Sequence, residues 1–288
     1  MIKIKNSLQR KTVAEIVLYA LVFLVFCAFA FTYVYMIFWC FYSGLRSYDE
    51  IARNPFGFSA VHPRNYIDVF QLLSANGSSF FEMLLNSVYF SMLGPFLAIS
   101  VTSMMAYVTS KYKFFGAGAV YFIVLVVITL PVYGSSSAQY NLLYNLGIIN
   151  TRWMILTSLN GFSMYYMYFY AFYKNLSWSY AEAAMLDGAN DWQIYFRVML
   201  PQSITMFGSL FLLLWMADWN NYGTALIYLP QMPTLAVGIY LFKTQMIYNS
   251  RLDILYAACG ISLLPPLVMF IACNNALMSN VSLGGIKE

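Results

Sequence analysis

Charge is what this sequence has least of. Charged side chains are 9% of its 288 residues, against roughly 25% in a soluble domain. That excludes an ordinary water-soluble globule. The net charge of +4 is small and scattered, which excludes an electrostatic nucleic-acid surface. Histidine occurs once, at His62, beside Pro63 and Arg64. One histidine cannot supply the paired groups that an intramembrane enzyme needs. Cys27, Cys40, Cys259 and Cys273 lie in apolar runs without metal-like spacing, so they read as small buried hydrophobes. No glycine is followed by lysine; a Walker A phosphate loop is therefore missing, and the chain is not expected to hydrolyse ATP or bind a cofactor itself. Paired repeats and mid-span acids are also missing, which disfavours an ion-driven secondary transporter, the less favoured alternative.

What is abundant is apolar surface, at 61% of residues. A hydrocarbon core of ~30 Å takes about 20 helical residues to cross. Six segments qualify: 14–41, 84–109, 114–134, 153–173, 202–220 and 254–278. The expected fold is an all-α, polytopic membrane protein, with residues 1–13 a basic tail and 14–288 one transmembrane domain. Ala28-Phe29-Ala30 imitates a signal-peptidase site, but the apolar run continues to Phe41, so the first helix is expected to be retained. Lys3, Lys5, Arg10 and Lys11 place the N-terminus in the cytoplasm. Six crossings then put Lys111, Lys113, Lys174, Arg197 and Lys287 inside too, with a cytoplasmic C-terminus. Ile67 to Leu73 and Leu142 to Leu146 are expected as short helices in external segments. Pro230 and Pro233 bound a turn in a third external segment, 219–253. Asn86 is expected to cap the second span.

One polar, helix-breaking island interrupts this pattern, EAAMLDGANDWQIYFRVMLP from Glu182 to Pro201. Ser179 and Glu182 have capping-box spacing. Ala183 to Leu186 are helix formers. Gly188 stands where a helix ends in a left-handed residue. Asn190 or Asp191 would cap a second short helix. Asp191 and Arg197 suit its two dipole ends. Pro201 suits the first turn of the next helix. The expected shape is helix, sharp turn, helix, lying across the cytoplasmic face. An ordinary interfacial helix between two spans is the plain alternative.

The island resembles the EAA coupling loop of bacterial ABC importer permeases: E-A-A, three residues, Gly, nine residues, Ile, any residue, Leu-Pro. Glu182, Ala183, Ala184, Gly188, Leu200 and Pro201 match, and Val198 fills the Ile slot. Further stretches are similar to the carbohydrate-uptake branch, especially the smaller membrane subunit of maltose-type importers. They are Arg46–Ile51 with Pro55-Phe56-Gly57, Leu146–Trp153 around Asn150-Thr151, Asp218-Trp219-Asn220, Leu264-Pro265-Pro266, and the tail Ser282–Lys287, where Glu288 replaces the usual final Gly.

The resemblance implies a type I ABC importer permease fold with a cytoplasmic coupling helix, in a bacterial plasma membrane. It implies two separate ATPase subunits carrying ATP and Mg, a second and different permease subunit, and an extracytoplasmic solute-binding protein. Glu182, Ala183, Ala184, Asp187, Gly188 and Pro201 would make the ATPase-coupling contacts. The implied cargo is a sugar or oligosaccharide; a non-sugar solute is the alternative. Two clusters are substrate-pathway candidates: Trp215, Asp218, Trp219 and Asn220 at the end of the fifth span, and Tyr166 with Tyr170 on the fourth. A carboxylate near the bilayer is costly and usually faces a cavity or partner. Tyr166 and Tyr170 share a helix face. Packing against the partner permease is the other reading of both clusters, and interfacial anchoring accounts for most remaining tyrosines.

Overall fold

A computed structural model describes residues 12–130, 135–249 and 251–283. The described residues are helical, with a single isolated bridge between Ala75 and Ser78 as their only extended pairing. They form two compact units. One comprises Met1–Val69 with Tyr248–Ile261, the other Phe70–Ile247 with Ser262–Glu288.

The first unit opens with α1, Val13–Gly44, where the Thr12 N–H donates to the Glu15 carboxylate (2.9 Å). It runs unbroken through Ala28-Phe29-Ala30, and its apolar side chains up to Phe38 are exposed. Lipid is the natural cover for such a surface. The segment after α1 turns around Arg46, which is 1% exposed. Its guanidinium donates to Ser59 Oγ (2.9 Å) and to the carbonyls of Pro55 (3.0 Å), Glu50 (3.0 Å) and Asn54 (2.7 Å). These donations tie down α2, Tyr48–Arg53, and the Asn54–Ser59 turn. Asn65, near the start of α3 (Arg64–Leu72), closes the unit by donating to the Gly44 (3.1 Å) and Arg46 (2.9 Å) carbonyls.

The second unit is organised on α4, Phe80–Lys111. Ser79, not Asn86, caps it: the Ser79 N–H donates to the Glu82 carboxylate (2.7 Å) and Glu82 N–H to Ser79 Oγ (3.4 Å). Asn86 lies about two turns inside and donates instead to the Pro233 carbonyl (3.2 Å). After α4 come α5 (Ala117–Thr129), α6 (Ser135–Asn145), a 3-10 turn (Arg152–Ser158) and α7 (Met164–Asn175). Next are α8 (Ser179–Leu186), α9 (Asp191–Ile194), a π turn (Tyr195–Met199) and α10 (Leu200–Gln202). The described chain ends through α11 (Ile204–Trp219), α12 (Tyr222–Tyr228), α13 (Leu235–Asn249) and α14 (Leu252–Leu283). α4 packs chiefly against α7 and α11. Ile99, Tyr107, Tyr166, Phe169, Tyr173 and Tyr195 are central to the core there.

Several expected spans differ in detail. Among the described residues, Val13–Gly44, Phe80–Lys111 and Leu252–Cys273 are each long and apolar enough to cross a bilayer. Asp191–Gln202 with Ile204–Trp219 makes a fourth, bent by 75°. The span expected at 153–173 is not one helix. Asn160 breaks it, because its side-chain oxygen takes the Phe162 N–H (2.9 Å) and holds a turn between the 3-10 segment and α7. The span expected at 114–134 begins later, at Ala117, because Gly116 is left-handed. The segment 219–253, expected to be external, is mostly helix, α12 and α13, around the expected Pro230–Pro233 turn. The basic tail at Lys3–Lys11, the end of the third span at 131–134, and the Gly284–Lys287 part of the tail lie outside the described residues.

Candidate functional site

The Glu182–Pro201 island folds as two short helices joined by a sharp reversal. Gly188 has φ +81°, the Gly188 N–H donates to the Met185 carbonyl (3.0 Å), and the Ala189 N–H donates to the Ala184 carbonyl (2.9 Å). Those two bonds are a Schellman closure of α8, and the left-handed residue it requires favours glycine. Asn190 then caps α9: its side chain accepts from the Gln193 N–H (2.9 Å), and Gln193 Oε1 accepts from the Asn190 N–H (3.0 Å). Pro201 has no N–H for the Arg197 carbonyl, and the residues just before it widen into the π turn. α10 then meets α11 at Ser203.

One expectation about the cap is corrected. α8 begins at Ser179 with Trp178 in the N-cap position, so Ser179 and Glu182 form no capping box. The Glu182 N–H goes to the Trp178 carbonyl (3.1 Å), and Ser179 Oγ pairs with Ser177 Oγ (2.7 Å). The Glu182 carboxylate is left facing outward. Glu182, Ala183, Asp187, Gly188 and Pro201 are exposed, whereas Ala184 is half-buried and Ala181 fully buried. Leu186, a residue not singled out from the sequence, is 90% exposed at the apex. Its only signal was position, directly before the Asp187-Gly188 reversal.

Beneath the island runs a buried hydroxyl chain. Tyr195 OH donates to Ser103 Oγ (3.2 Å), Ser103 and Tyr173 hydroxyls pair (2.9 Å), Tyr173 and Ser203 hydroxyls pair (2.9 Å), and Ser203 Oγ donates to the Leu200 carbonyl (2.9 Å). Each hydroxyl has one proton. Ser203 spends its proton on Leu200, so Tyr173 donates to Ser203 and Ser103 donates to Tyr173. The chain is therefore ordered from Tyr195 to Leu200, and it stitches the π turn and the α10–α11 joint to α4 and α7. At its edge Tyr112 OH donates to Asp191 Oδ1 (2.8 Å). Burial, with the hydrogen bonds to Tyr107 and Asp191, holds the Tyr112 hydroxyl well above the usual phenol range, so it remains a donor.

A second site lies at the other end of α4 and α11. A cavity of about 180 Å³ is lined by Ser87, Ser91, Ser158, Asp218, Trp219 and Thr224, among others. Its wall includes Leu229 and Thr234, flanking the Pro230–Pro233 turn. Three asparagines pin that turn: Asn76 donates to the Pro230 carbonyl (2.8 Å), Asn86 to Pro233, and Asn150 to Gln231 Oε1 (2.6 Å). The Gln231 N–H returns a bond to Asn150 Oδ1 (2.8 Å). Asn150 itself is left-handed (φ +61°).

Of the pathway candidates, Asp218 and Trp219 line this cavity. Trp215 lies beside Trp219 with ring centroids 5.5 Å apart and tilted, and does not line the cavity. Asn220 is exposed and bonds the Met216 carbonyl (2.8 Å). Tyr166 and Tyr170 stack together at 5.7 Å away from the cavity lining. Tyr166 is fully buried and its hydroxyl pairs with Thr109 (2.7 Å).

Residues 98–281 match the family model described as the inner membrane component of binding-protein-dependent transport systems. The chain belongs to this family. It is thus a membrane-embedded, non-catalytic permease subunit of an ABC transport system, and systems of this kind operate with a binding protein and an ATPase. The matched region holds the whole Glu182–Pro201 island, α11 and most of α14. Among similar proteins is the diacetylchitobiose uptake system permease protein NgcG of Streptomyces coelicolor, 28% identical over 86% of this chain and 82% of its own. The arabinooligosaccharides transport system permease protein AraQ of Bacillus subtilis is 23% identical, covering 92% and 94%. A solved bacterial ABC transporter involved in import of the acidic polysaccharide alginate superposes with TM-score 0.73 at 20% identity, over 92% of this chain and 98% of that one. This inner membrane component therefore has the type I importer permease fold.

Proposed function

We propose that this chain is the permease subunit of an ATP-driven importer for a sugar or oligosaccharide, and that it forms half of the translocation pathway. The relatives named for diacetylchitobiose and arabinooligosaccharides support that cargo class. So does a lactose transport system permease from Rhizobium radiobacter, 24% identical over 70% of this chain. In this reading a second, different permease subunit completes the pathway. Two ATPase subunits hold ATP and Mg, and an extracytoplasmic binding protein delivers the sugar. Both termini face the cytoplasm, and the transmembrane domain occupies 14–288.

The observation that carries the reading is the island's geometry. Glu182, Ala183, Asp187 and Gly188 form an outward knuckle, with Leu186 exposed at its tip, and a buried hydroxyl chain fastens its base to three helices. An outward small-residue face with an apolar tip suits insertion into a groove of an ATPase. Ala184 and Pro201 shape that face from beneath and behind. ATP-driven closure of the ATPase pair would push the knuckle, and α4 and α11 would carry the displacement to the Asp218 cavity.

The test is cross-linking of the whole complex in membranes from single-cysteine variants at Ala183 and Leu186. A zero-length or short cross-link to the ATPase subunit is expected at both, with exchange of the pattern on adding ATP. Labelling of those cysteines only from the extracytoplasmic side, or no ATPase adduct at either, would overturn the reading.

A further inference from the structure

The cavity beside α11 contains polar groups that the protein itself leaves unpaired. Ser91 is 3% exposed and its hydroxyl has no hydrogen-bond partner. Pro95, four residues on, has no N–H to give the Ser91 carbonyl, so that carbonyl lacks its helical donor as well. No donor among the described residues reaches the Asp218 carboxylate. Buried polar groups are ordinarily satisfied, and a half-buried carboxylate without a donor is costly. Ser91 and Asp218 are both wall residues of one cavity, and Asp218 is the part-exposed one of the two.

The close approach of Ser158 and Asp218 to α4 depends on a glycine. A Cβ at Gly94 would lie 3.1 Å from Ser158 Oγ and 3.6 Å from Asp218 Oδ2. Around Asp218 the lining supplies hydroxyls and an amide from Ser87, Ser158, Thr224 and Asn221, and it contains no lysine, arginine or histidine. A ligand for this site must therefore donate hydrogen bonds to a carboxylate, exchange them with hydroxyls, and carry no negative charge. It must also be small: pockets for drug-sized ligands hold roughly 300–1,000 Å³.

We propose that this cavity is a specificity site that accepts one glycosyl ring of a neutral sugar and rejects acidic sugars. Vicinal ring hydroxyls donate to Asp218, one hydroxyl pairs with Ser158, and the Trp219 edge of the wall supplies apolar contact. A uronate carboxylate would meet Asp218 with no cation between them. This deepens the sugar reading above and rests on it.

The test uses the complete complex reconstituted with its ATPase and binding protein. The labelled probes are diacetylchitobiose, arabinobiose, lactose and digalacturonate. Wild type should take up at least one neutral probe and leave digalacturonate at background. Asp218→Asn and Gly94→Ala should each lower the maximal uptake rate of that neutral probe about tenfold, the scale of one lost charged hydrogen bond. Ser158→Ala should lower it about threefold. Copurification with the ATPase confirms that each variant is assembled; if Asp218→Asn fails to assemble, Gly94→Ala and Ser158→Ala carry the test. Unchanged rates in the assembled variants, or digalacturonate uptake matching the neutral probe, would overturn the cavity assignment while leaving the sugar reading intact. If assembled wild type takes up none of the four probes, the sugar reading falls, and the cavity assignment with it.

Discussion

Replacing Tyr173 by Phe removes one oxygen from the buried hydroxyl chain and almost no volume. Tyr173 is fully buried, and its hydroxyl sits 2.9 Å from both Ser103 Oγ and Ser203 Oγ. In the proton order worked out above, the substitution strips Ser103 of its acceptor and Ser203 of its donor. Ser203 keeps its bond to the Leu200 carbonyl, and Ser103 keeps the donor from Tyr195. Two neutral hydrogen bonds at ~0.5–1.5 kcal/mol each give a loss of about 1–3 kcal/mol. Back-bonding of Ser103 to a carbonyl one turn earlier would pull the figure toward the lower end. The loss falls on the joint between the π turn, α10 and α11, where the knuckle meets its helices. The reconstituted complex should therefore melt lower and import less cargo per ATP hydrolysed. A double-mutant cycle with Ser103→Ala sharpens the test. Because both substitutions break the same bond, the double variant should lose less than the sum of the singles. Additivity within about 0.3–0.5 kcal/mol, together with an unchanged transport-to-hydrolysis ratio, would refute the ordered chain.

Gly188→Val should assemble yet uncouple hydrolysis from uptake in vesicles: nothing lies within 4 Å of a Cβ there, so the cost is the left-handed φ, about 1–2 kcal/mol, borne at the knuckle. Asn150→Ala should destabilise by roughly 1–3 kcal/mol through loss of both bonds to Gln231, seen as faster protease nicking at Leu229–Pro233; Asn150→Gly should lose the same bonds but relax the positive φ. Arg46→Lys should cost at least about 3 kcal/mol, because one ammonium cannot replace a four-bond guanidinium fork, and membrane accumulation of the chain should fall accordingly.

The Glu182–Pro201 island was legible because its signals are local. A glycine at a left-handed turn and an asparagine cap each act within a few residues, and both appear where spacing places them, the cap falling to Asn190 of the two candidates; Pro201 sits instead at the end of the helical run Asp191–Gln202, ahead of α11. The Ser179 cap failed for a reason of the same scale: Ser177 captures the Ser179 hydroxyl and the helix starts around Trp178. The long helices α1, α4 and α14 were legible from apolar length alone. The break at Asn160 was not, since Asn160-Gly161 sits inside a run apolar enough to pass as one span. The hydroxyl chain was invisible for a different reason. Ser103, Tyr173, Tyr195 and Ser203 are far apart in sequence, and nothing in a single chain pairs them before it folds. The same holds for Asn76, Asn86 and Asn150 around the Pro230–Pro233 turn; Asn150 stood out through its family-like context, and Asn86 only as an expected helix cap.

α4 and α11 relate the two sites. On α4, Ser87 lines the cavity and Ser103 belongs to the hydroxyl chain; on α11, Trp219 lines the cavity and Ser203 at its start belongs to the chain. Each pair is separated by sixteen residues, about 24 Å of helix. The helices run in opposite senses, so their two ends coincide at both sites. Pro95 interrupts the hydrogen-bond ladder of α4 between Ser91 and Ser103, whereas α11 has no internal proline. A displacement entering at Ser203 therefore travels along an uninterrupted helix to Asp218 and Trp219, while α4 can flex at the Gly94-Pro95 step next to the cavity. One stiff helix and one hinged helix against it open or close a space between them when pushed from one end. That is the mechanical property the proposed coupling requires between the Glu182–Pro201 island and the cavity.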